Sequence, residues 1–325
     1  MTVEFDSQQD TAQDIVYSFA APPGFDFRRQ ETGPCFAARS TGLYFSKDGG
    51  TTWLSLLDSL QLNQDLPVLS VAVSPAYPSD KTLIAGVSGG LLVSRDGGVH
   101  WQALSFPTPP PLFSAIALSP AFQEDGVALA GTIEDGIFRS EDHGQHWSAA
   151  TFGLLDLKTF CLELSPAFQE DETALAGTES GIFRSTNGGR AWREVSLPVG
   201  FEAVLSLSTS PDFQQDNLIL AGTETQGLLA STDRGFSWER PDQTGVSGSV
   251  DAILFSPNFP HKRDLLIVNE GSLVLSTDGG KSWSPWRVEE TGLGVVTAVF
   301  APQGFDPGNT ILVGMADGRI LRLDL

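Results

Sequence analysis

The sequence predicts an all-β protein, a seven-bladed β-propeller of four-stranded blades with six repeated loops. Three observations predict it: a short loop recurs six times, a Ser-Pro turn recurs in phase with it, and no segment shows a helical period. The first loop runs from Ser46 to Trp53, and the others begin at Ser94, Ser140, Ser185, Ser231 and Ser276. Successive serines are 48, 46, 45, 46 and 45 residues apart, and we call these segments box loops 1 to 6.

Each residue type in a box loop has a role in a tight turn between two strands. The Asp side chain caps exposed backbone N–H groups, Ser does so more weakly, and Gly adopts positive φ without a steric penalty. We expect the Trp ring that closes each loop to pack on neighbouring strands, with its indole N–H donating to a carbonyl. In box loop 4, Asn187 replaces Asp and keeps an acceptor oxygen. The loops are therefore predicted to be structural.

A second element repeats in phase with the box loops. An apolar run ends in Ser-Pro, an aromatic residue and an Asp follow, and a short Leu-Ala-Gly-Thr strand comes next, as in residues 119–132 and 165–178. Related turns occur at Pro22, Pro75, Pro211, Pro257 and Pro302, which makes seven units. Short, evenly spaced strands separated by Gly, Pro and Asp are typical of propeller blades.

Within a unit we expect four strands: one ending at Ser-Pro, the Leu-Ala-Gly-Thr strand, one running into the box loop and one starting at its Trp. The last unit stops at Leu325, where its box loop should begin, whereas residues 2–6 form an extra strand ahead of the first unit. We predict that this N-terminal strand closes the last blade and removes an exposed edge. A stacked β-solenoid is the alternative, and it would need capping repeats that are not visible.

The box loop between the third and fourth strands resembles that of the BNR/Asp-box propellers. This sialidase-like group includes sialidases, xyloglucanases, sortilin-type receptors and photosystem assembly factors. Six box loops and seven units extend the resemblance over nearly the whole chain. It implies a propeller with structural box loops, and it implies no single function because these propellers carry unrelated tasks on one scaffold.

Composition restricts the setting of the protein. At 325 residues, with an unbroken period that leaves no room for a linker, we expect one domain, residues 1–325. No run of about 18 apolar residues occurs, so we expect no membrane span. The N-terminus is acidic and lacks an apolar stretch, which favours a cytoplasmic protein without a signal peptide. Cys35 and Cys161 fall in different units, and we expect two reduced thiols.

The charge of the chain restricts its partners. Forty acidic residues against 19 basic residues give a formal charge of −21. Such a charge repels phosphate backbones, so we expect no nucleic acid and favour a basic protein surface or a cation as partner. Acidity that only keeps the protein soluble is the alternative.

Residue counts argue against an enzyme. Six of the seven tryptophans close box loops, which leaves few rings as stacking platforms for a glycan. The resemblance implies that a sialidase would need three arginines, but Arg139, Arg184 and Arg322 occupy one repeated position beside the box loop, which indicates surface or inter-blade roles. No two carboxylates can be paired for a glycosidase mechanism from the sequence. We therefore predict no catalytic residue.

We also predict no metal site and no cofactor. His143 and His146 lie in one box loop without a Cys or a third His nearby, so we interpret them as loop residues. Aspartates that recur after the Ser-Pro turns could bind calcium, although capping of the turns also explains them: Asp80, Asp125, Asp171 and Asp216.

The predicted binding surface is a rim of carboxylates. In a propeller the box loops lie on one face, and the turns between second and third strands lie on the other face with the blade-to-blade connections. Acidic residues occupy these turns in five of the seven units, and we expect them to form a ring that binds a basic segment of a partner protein: Glu134, Asp135, Glu179, Glu224, Glu270 and Asp317. Solvated hairpin tips are the alternative.

Glu163 is a separate candidate. The equivalent position before the Ser-Pro turn is apolar or Ser in five other units, so Glu163 alone carries a charge where we expect the innermost strand to face the channel. Solvation by a channel water is one interpretation, and a ligand or proton role is the other.

We predict a non-catalytic interaction scaffold or assembly factor that presents an acidic face, as a monomer or as a subunit of a complex. The alternative is a glycan-binding or glycoside-hydrolysing propeller of the sialidase or xyloglucanase type. Clustered aromatic rings and paired carboxylates at the channel mouth would favour the alternative. A smooth acidic rim would favour the scaffold.

Overall fold

The computed structural model describes residues 14–29, 33–57, 60, 64–107, 109–241, 245–292 and 294–325. In these residues the chain forms seven antiparallel sheets, each built from strands that are consecutive in sequence. The first strands of neighbouring sheets contact one another around a ring, and the contact between the last sheet and the first closes it. The protein is a seven-bladed β-propeller, so the predicted fold class is confirmed.

Blades 1 to 4 each have four strands, numbered from the innermost outwards. They are β1 (Val16–Ala20), β2 (Cys35–Arg39), β3 (Gly42–Ser46) and β4 (Leu54–Ser55); β5 (Val68–Val73), β6 (Leu83–Val87), β7 (Gly90–Ser94) and β8 (Gln102–Ala103); β9 (Phe113–Leu118), β10 (Ala128–Thr132), β11 (Ile137–Ser140) and β12 (Ser148–Ala149); β13 (Thr159–Leu164), β14 (Ala174–Thr178), β15 (Ile182–Ser185) and β16 (Arg193–Val195).

Blades 5 to 7 follow the same order with fewer outer strands among the described residues. They contain β17 (Val204–Thr209), β18 (Ile219–Thr223) and β19 (Leu228–Ser231); β20 (Val250–Phe255), β21 (Leu265–Asn269), β22 (Ser272–Ser276) and β23 (Ser284–Pro285); β24 (Val296–Phe300), β25 (Thr310–Met315) and β26 (Ile320–Asp324). In blade 5 the outer strand is reduced to one bridge between Ala230 and Glu239. The predicted closing strand at residues 2–6 lies outside the described residues.

Ring closure is visible in contacts between blades 7 and 1. Thr297 Oγ1 of β24 donates to the carbonyl oxygen of Val16 in β1, 2.7 Å away. Arg322 Nε of β26 donates to the carbonyl oxygen of Gly49 in box loop 1 at 3.1 Å. The two ends of the described chain therefore meet in adjacent blades.

The core lies between the blades. Alternate residues of one strand point to opposite faces of its sheet, so a second strand serves two interfaces. Leu83 of β6 packs in a cluster with Phe36 of blade 1, and the next residue, Ile84, packs with Phe113 and Phe122 of blade 3. Every pair of adjacent blades shares a hydrophobic cluster of this kind among the described residues.

The Gly of the Leu-Ala-Gly-Thr strand allows blades to approach closely. A Cβ atom built on Gly177 would lie 2.6 Å from the carbonyl oxygen of Val204 in the next blade's innermost strand. Equivalent Cβ atoms on Gly131 and Gly314 would clash with Thr159 and Val16 in the same way. The absence of a side chain at this position therefore sets the distance between blades.

One-turn helices form at the Ser-Pro turns. They are α1 (Tyr77–Asp80), α2 (Phe122–Asp125), α3 (Phe168–Asp171) and α4 (Phe213–Asp216); a further helix, α5 (Val288–Thr291), precedes blade 7. In α2, Asp125 Oδ2 accepts from Ser119 Oγ at 2.6 Å and Oδ1 accepts from Val127 N–H at 2.8 Å. Asp80, Asp171 and Asp216 make the same two kinds of bond, so these aspartates cap turns. No helix in the described segments is long and apolar enough to cross a membrane.

The box loops have the predicted hydrogen bonds. In box loop 1, Ser46 Oγ donates to Asp48 Oδ1 at 2.7 Å and accepts from Gly50 N–H at 2.8 Å, and Thr52 N–H donates to Asp48 Oδ1 at 2.9 Å. The Trp prediction is only partly right. Trp53 donates to Gly50 O at 3.2 Å, but the indole nitrogens of Trp101 and Trp238 are buried without a partner in the described residues.

Arginines of the third strands join one blade to the box loop of the next. Arg139 Nε donates to Gly188 O at 2.6 Å, and Arg184 Nε donates to Arg234 O at 2.8 Å. Arg322 does the same to Gly49. Their repeated position in the sequence left a surface or an inter-blade role open, and these bonds show that they connect neighbouring blades.

The two cysteines lie in different blades as expected. Cys35 is the first residue of β2, Cys161 is in β13, and neither forms a disulfide. Burial raises the pKa of both thiols to about 12, so they are protonated at neutral pH.

Candidate functional site

The meander gives the propeller two different faces. The box loops and the Ser-Pro turns lie at one end of the strands, which we call the box face. The hairpins between second and third strands lie at the other end with the blade-to-blade connections, which we call the hairpin face. Each connection is bonded to the hairpin of the blade that it enters, as in the bonds from Glu179 N–H to Lys158 O at 3.2 Å and from Ala316 N–H to Val295 O at 2.9 Å.

All six predicted rim carboxylates lie on the hairpin face and are exposed. Each follows a second strand, in the hairpins after β10, β14, β18, β21 and β25, and the residues are Glu134, Asp135, Glu179, Glu224, Glu270 and Asp317. The hairpins end at glycines with positive φ, among them Gly136 at 76° and Gly227 at 75°. Such glycines make the turns tight and leave the acidic residue at the tip.

The rim carboxylates differ in their partners. Glu179 Oε1 lies 2.7 Å from Lys158 Nζ, and Asp317 Oδ2 lies 2.8 Å from Arg319 Nε. Within the described ranges, the remaining four make no ion pair, and they are Glu134, Asp135, Glu224 and Glu270. The unneutralised part of the rim therefore lies on blades 3, 5 and 6.

The pKa of Lys158 reflects the negative charges on this face. The hydrogen bond to Glu179 raises the pKa of the Lys158 ammonium above its ordinary value, and the charges of Glu179, Asp156 and Glu134 add to the effect. Three carboxylates thus favour one ammonium between blades 3 and 4. This is the electrostatic environment in which a further cation would be stabilised.

Two carboxylates of the connections also belong to this face, and the sequence analysis missed both. Asp156 Oδ2 accepts from Ser180 N–H at 2.8 Å, and Glu202 Oε1 accepts from Thr225 N–H at 2.6 Å. Burial opposes ionisation of Asp156, but its hydrogen bonds outweigh burial and lower its pKa. No sequence motif identifies Asp156 or Glu202. Each lies in a connection more than 20 residues before the hairpin that it caps, so the contact forms only when the blade has folded.

Glu163 lies apart from the rim. It is the fifth residue of β13, near the box-face end, and it pairs with Leu175 of β14. Ala117 pairs with Leu129 in the same way in blade 3, so Glu163 and Ala117 occupy equivalent positions. Its Oε1 accepts from Thr209 N–H at 3.0 Å and Thr209 Oγ1 at 2.7 Å, so the side chain reaches across to the innermost strand of blade 5. Burial raises the pKa of Glu163 and outweighs these two bonds, which favour the ionised form.

The histidines of the box loops contact the loop aspartates. His100 Nδ1 lies 2.6 Å from Asp96 Oδ2, and His146 Nδ1 lies 2.6 Å from Asp142 Oδ2. His143 instead packs edge-on against Phe122, with ring centroids 5.3 Å apart. Among the residues that the structure describes, no group of three His, Cys, Asp or Glu side chains could hold a metal ion.

Sequence comparison identifies one of the box loops directly. The family described as BNR/Asp-box repeat matches residues 274–285, which contain box loop 6. No curated protein matches the chain by sequence. The predicted resemblance to BNR/Asp-box propellers is confirmed by this match and by the fold.

Solved structures of similar fold have different functions. A GH74 xyloglucanase from Xanthomonas campestris is 18% identical with a TM-score of 0.72, and the match covers 95% of this chain and 51% of the enzyme. The structure described as YCF48 bound to D1 peptide is 18% identical with a TM-score of 0.67, and the match covers 96% and 94% of the two chains.

The extracellular domain of BT4673 from B. thetaiotaomicron is 16% identical with a TM-score of 0.71, and the match covers 96% of this chain and 38% of that one. This chain therefore spans only about half or less of the xyloglucanase and of the BT4673 domain. At such identities the likeness concerns the fold. The neighbours include both a peptide-bound propeller and a hydrolase.

Proposed function

We propose that the protein is a non-catalytic scaffold whose hairpin face binds a basic segment of a partner protein. The observation that carries the proposal is the contact between Lys158 and Glu179, in which a rim carboxylate already holds an ammonium at 2.7 Å. A lysine or arginine from another protein would meet the same chemistry at Glu134, Asp135 and Glu224, which are exposed and make no ion pair with described residues. Charge-assisted hydrogen bonds to carboxylates are about twice as strong as neutral ones.

The charge of the whole molecule supports the same partner. A formal charge of −21 attracts a basic segment from a distance and speeds its association. The contacts themselves are exposed, so each ion pair contributes only about 0–1 kcal/mol and several must act together. Binding should therefore weaken as salt concentration rises.

The likeness to YCF48 supports a peptide-binding role for a propeller of this size. That structure contains a D1 peptide, and the match covers 96% of this chain and 94% of that one. The xyloglucanase, in contrast, is about twice as long as the matched part.

Affinity capture from the source cell tests the proposal. The bait is the wild-type protein, compared with Glu134→Lys/Glu179→Lys/Glu224→Lys on the hairpin face. The matched control has the same charge change at exposed carboxylates elsewhere: Glu124→Lys/Glu170→Lys/Glu239→Lys. We expect a reproducible protein partner with wild type and control and its loss with the rim variant. Equal capture by all three baits would show that the rim carboxylates do not bind the partner.

The alternative function is glycan binding or hydrolysis, and the fold of the xyloglucanase is its support. It predicts release of reducing sugar from xyloglucan or a related polysaccharide by the purified protein. Such release, together with no captured protein, would show that the protein is an enzyme and not a scaffold.

A further inference from the structure

A cleft of about 550 Å³ lies along the outer edge of blade 4, beside box loop 5. Its lining includes Phe152, Arg184, Asn187, Trp192, Arg193 and Phe236. The volume falls within the range of small-ligand pockets, about 300–1,000 Å³. It is built by β15, β16, two box loops and Phe152 of the connection between blades 3 and 4, and none of the rim carboxylates lines it.

Two arginines lie side by side in this cleft. Arg184 of β15 and Arg193 of β16 are directly opposite each other in the antiparallel register. Such cross-strand neighbours have Cβ atoms about 5 Å apart on one face of the sheet, and like charges there are unfavourable. Neither arginine makes an ion pair with a described residue. In blade 3 the equivalent pair is Arg139 and Ser148, which carries a single charge.

Arg184 is held in place before any ligand binds. Its side chain is 8% exposed, and its Nε and Nη2 donate to Arg234 O at 2.8 Å and Thr173 Oγ1 at 3.3 Å. Its Cζ stacks 3.7 Å from the ring centroid of Phe236. Nη1 donates to no described residue, so one end of a positioned, desolvated guanidinium remains available to an acceptor.

Asn187 adds a further unused donor. Its Oδ1 accepts from Ala191 N–H and Ser185 Oγ, both at 2.9 Å. Because a backbone N–H can only donate, the oxygen of the amide must lie on that side and Nδ2 on the other. Nδ2 has no hydrogen-bond partner among the described residues.

Box loop 4 is unusual in leaving this group free. In the other five loops the second side-chain oxygen of the Asp contacts a hydroxyl or an imidazole of the residue immediately before the Trp, at 2.6 Å in each loop: Thr52, His100, His146, Ser237 and Ser282. In box loop 4 the Asp is replaced by Asn187, and the residue before the Trp is Ala191. The two replacements together remove a negative charge and present an amide donor.

The walls of the cleft are apolar and exposed. Phe152 and Phe236 are 80% and 66% exposed to solvent, although large aromatic side chains gain most from burial. Glu194 is the carboxylate of the lining, and its neighbour Arg193 offsets its charge. With Arg184, the lining has a net positive charge in a protein whose formal charge is −21.

We propose that this cleft binds a carboxylate joined directly to an apolar group. The carboxylate accepts hydrogen bonds from Asn187 Nδ2, Arg184 Nη1 and Arg193. The apolar group packs between Phe152 and Phe236. A free organic acid and the C-terminal residue of a peptide share this chemistry.

A ligand-detected NMR titration tests the proposal with defined probes. N-acetylphenylalanine supplies the carboxylate and the ring, its primary amide keeps the ring but lacks the negative charge, and acetyl-Gly-Gly-Phe with a free C-terminus supplies the peptide form. We expect the amide to bind at least tenfold more weakly than the acid. A peptide that binds more tightly than the free acid identifies a protein C-terminus as the source, and equal affinities identify the free acid.

Asn187→Asp is the decisive variant, because it restores the residue of the other five box loops and keeps the acceptor for Ala191 N–H. It should fold as wild type does and reduce binding of the acid at least tenfold through repulsion. Asp278→Asn makes the reverse change in box loop 6 and is the matched control, with unchanged binding. Arg193→Ala should weaken binding severalfold. Equal affinities for acid and amide, wild-type binding by Asn187→Asp, or no saturable binding of either acidic probe would overturn the proposal.

Discussion

Arg139 of blade 3 donates from Nε to the carbonyl oxygen of Gly188 in box loop 4, 2.6 Å away and 49 residues further along the chain. The bond connects a strand of one blade to a turn of the next, and its donor is buried. Since the separation is close to one repeat, the same bond recurs at Arg184 and Arg322. The ring is thus joined by polar contacts as well as by its hydrophobic clusters.

Removal of the buried arginine should destabilise the propeller more than removal of its exposed equivalent. Arg139→Ala leaves Gly188 O without its donor and should lower the free energy of unfolding by about 2 kcal/mol. Arg322→Ala loses an exposed bond to Gly49 O and should cost less than about 1 kcal/mol. Urea unfolding of both variants measures the difference. Equal costs would show that burial of the inter-blade bond does not matter.

A methyl group on the strand glycine should separate blades 4 and 5. Gly177→Ala places Cβ within 2.6 Å of Val204 O, and overpacking of this kind costs about 1–3 kcal/mol. The control is Gly308→Ala, which has positive φ but no atom within 4 Å of its Cβ, and should cost about 1 kcal/mol. Thermal and urea unfolding give both values. A Gly177→Ala protein as stable as wild type would contradict the close-approach explanation.

Glu163 should make the stability of the protein fall as pH rises. Because its folded-state pKa is raised above the ordinary value of 4.5, the folded protein holds this proton more tightly, and stability is lost as pH rises from 4.5 through the raised pKa. Glu163→Gln keeps an acceptor for Thr209 and has no such loss. Unfolding free energies between pH 4 and 8 should therefore diverge in favour of the variant.

Thr209→Val provides the complementary test of the same pair. It removes the hydroxyl that donates to Glu163 at 2.7 Å and that opposes the raised pKa, so its stability should fall more steeply with pH than that of wild type. Parallel profiles for wild type, Glu163→Gln and Thr209→Val would show that the carboxyl is not coupled to folding.

The box loops should lose stability in acid. Hydrogen bonds from Thr52 lower the pKa of Asp48 to about 2, and the backbone N–H of His100 lowers that of Asp96 to about 2. A depressed pKa gives stability that is complete above the ordinary value of 3.8 and is lost as pH falls towards 2. Asp48→Asn, which copies the natural residue of box loop 4, should flatten the acid limb of the profile. An unchanged acid limb would exclude Asp48 as a contributor to it.

Much of the fold could be predicted from the sequence because its motifs are repeated. One box loop is a weak signal, but six at intervals of 45 to 48 residues, together with seven Ser-Pro or related turns, predict the number of blades and the place of each loop. The position of Arg139 beside a box loop narrowed its role only to the surface or to the space between blades. The aspartate caps were also predictable, since Asp125 and Ser119 lie close together in the chain.

Contacts between repeats were harder to predict than contacts within them. The bond from Thr209 to Glu163 spans 46 residues, and it requires the register of one innermost strand against the next, which a repeat period does not give. The role of Gly177 depends on the same relation. The sequence showed Asn187 as a conservative replacement of Asp. It did not show that the unbonded Nδ2 lies in a cleft with Arg184 and Arg193, which face each other across two strands.

The place where a basic segment contacts the protein tests the central claim most directly. Carbodiimide coupling of a lysine-rich peptide to the folded protein joins amines only to carboxylates that they touch, and mass spectrometry identifies those carboxylates. We expect coupling at Glu134, Asp135 and Glu224 that disappears as salt concentration rises. Coupling spread evenly over the box face, at residues such as Glu124 and Glu170, would contradict a binding site on the hairpin face.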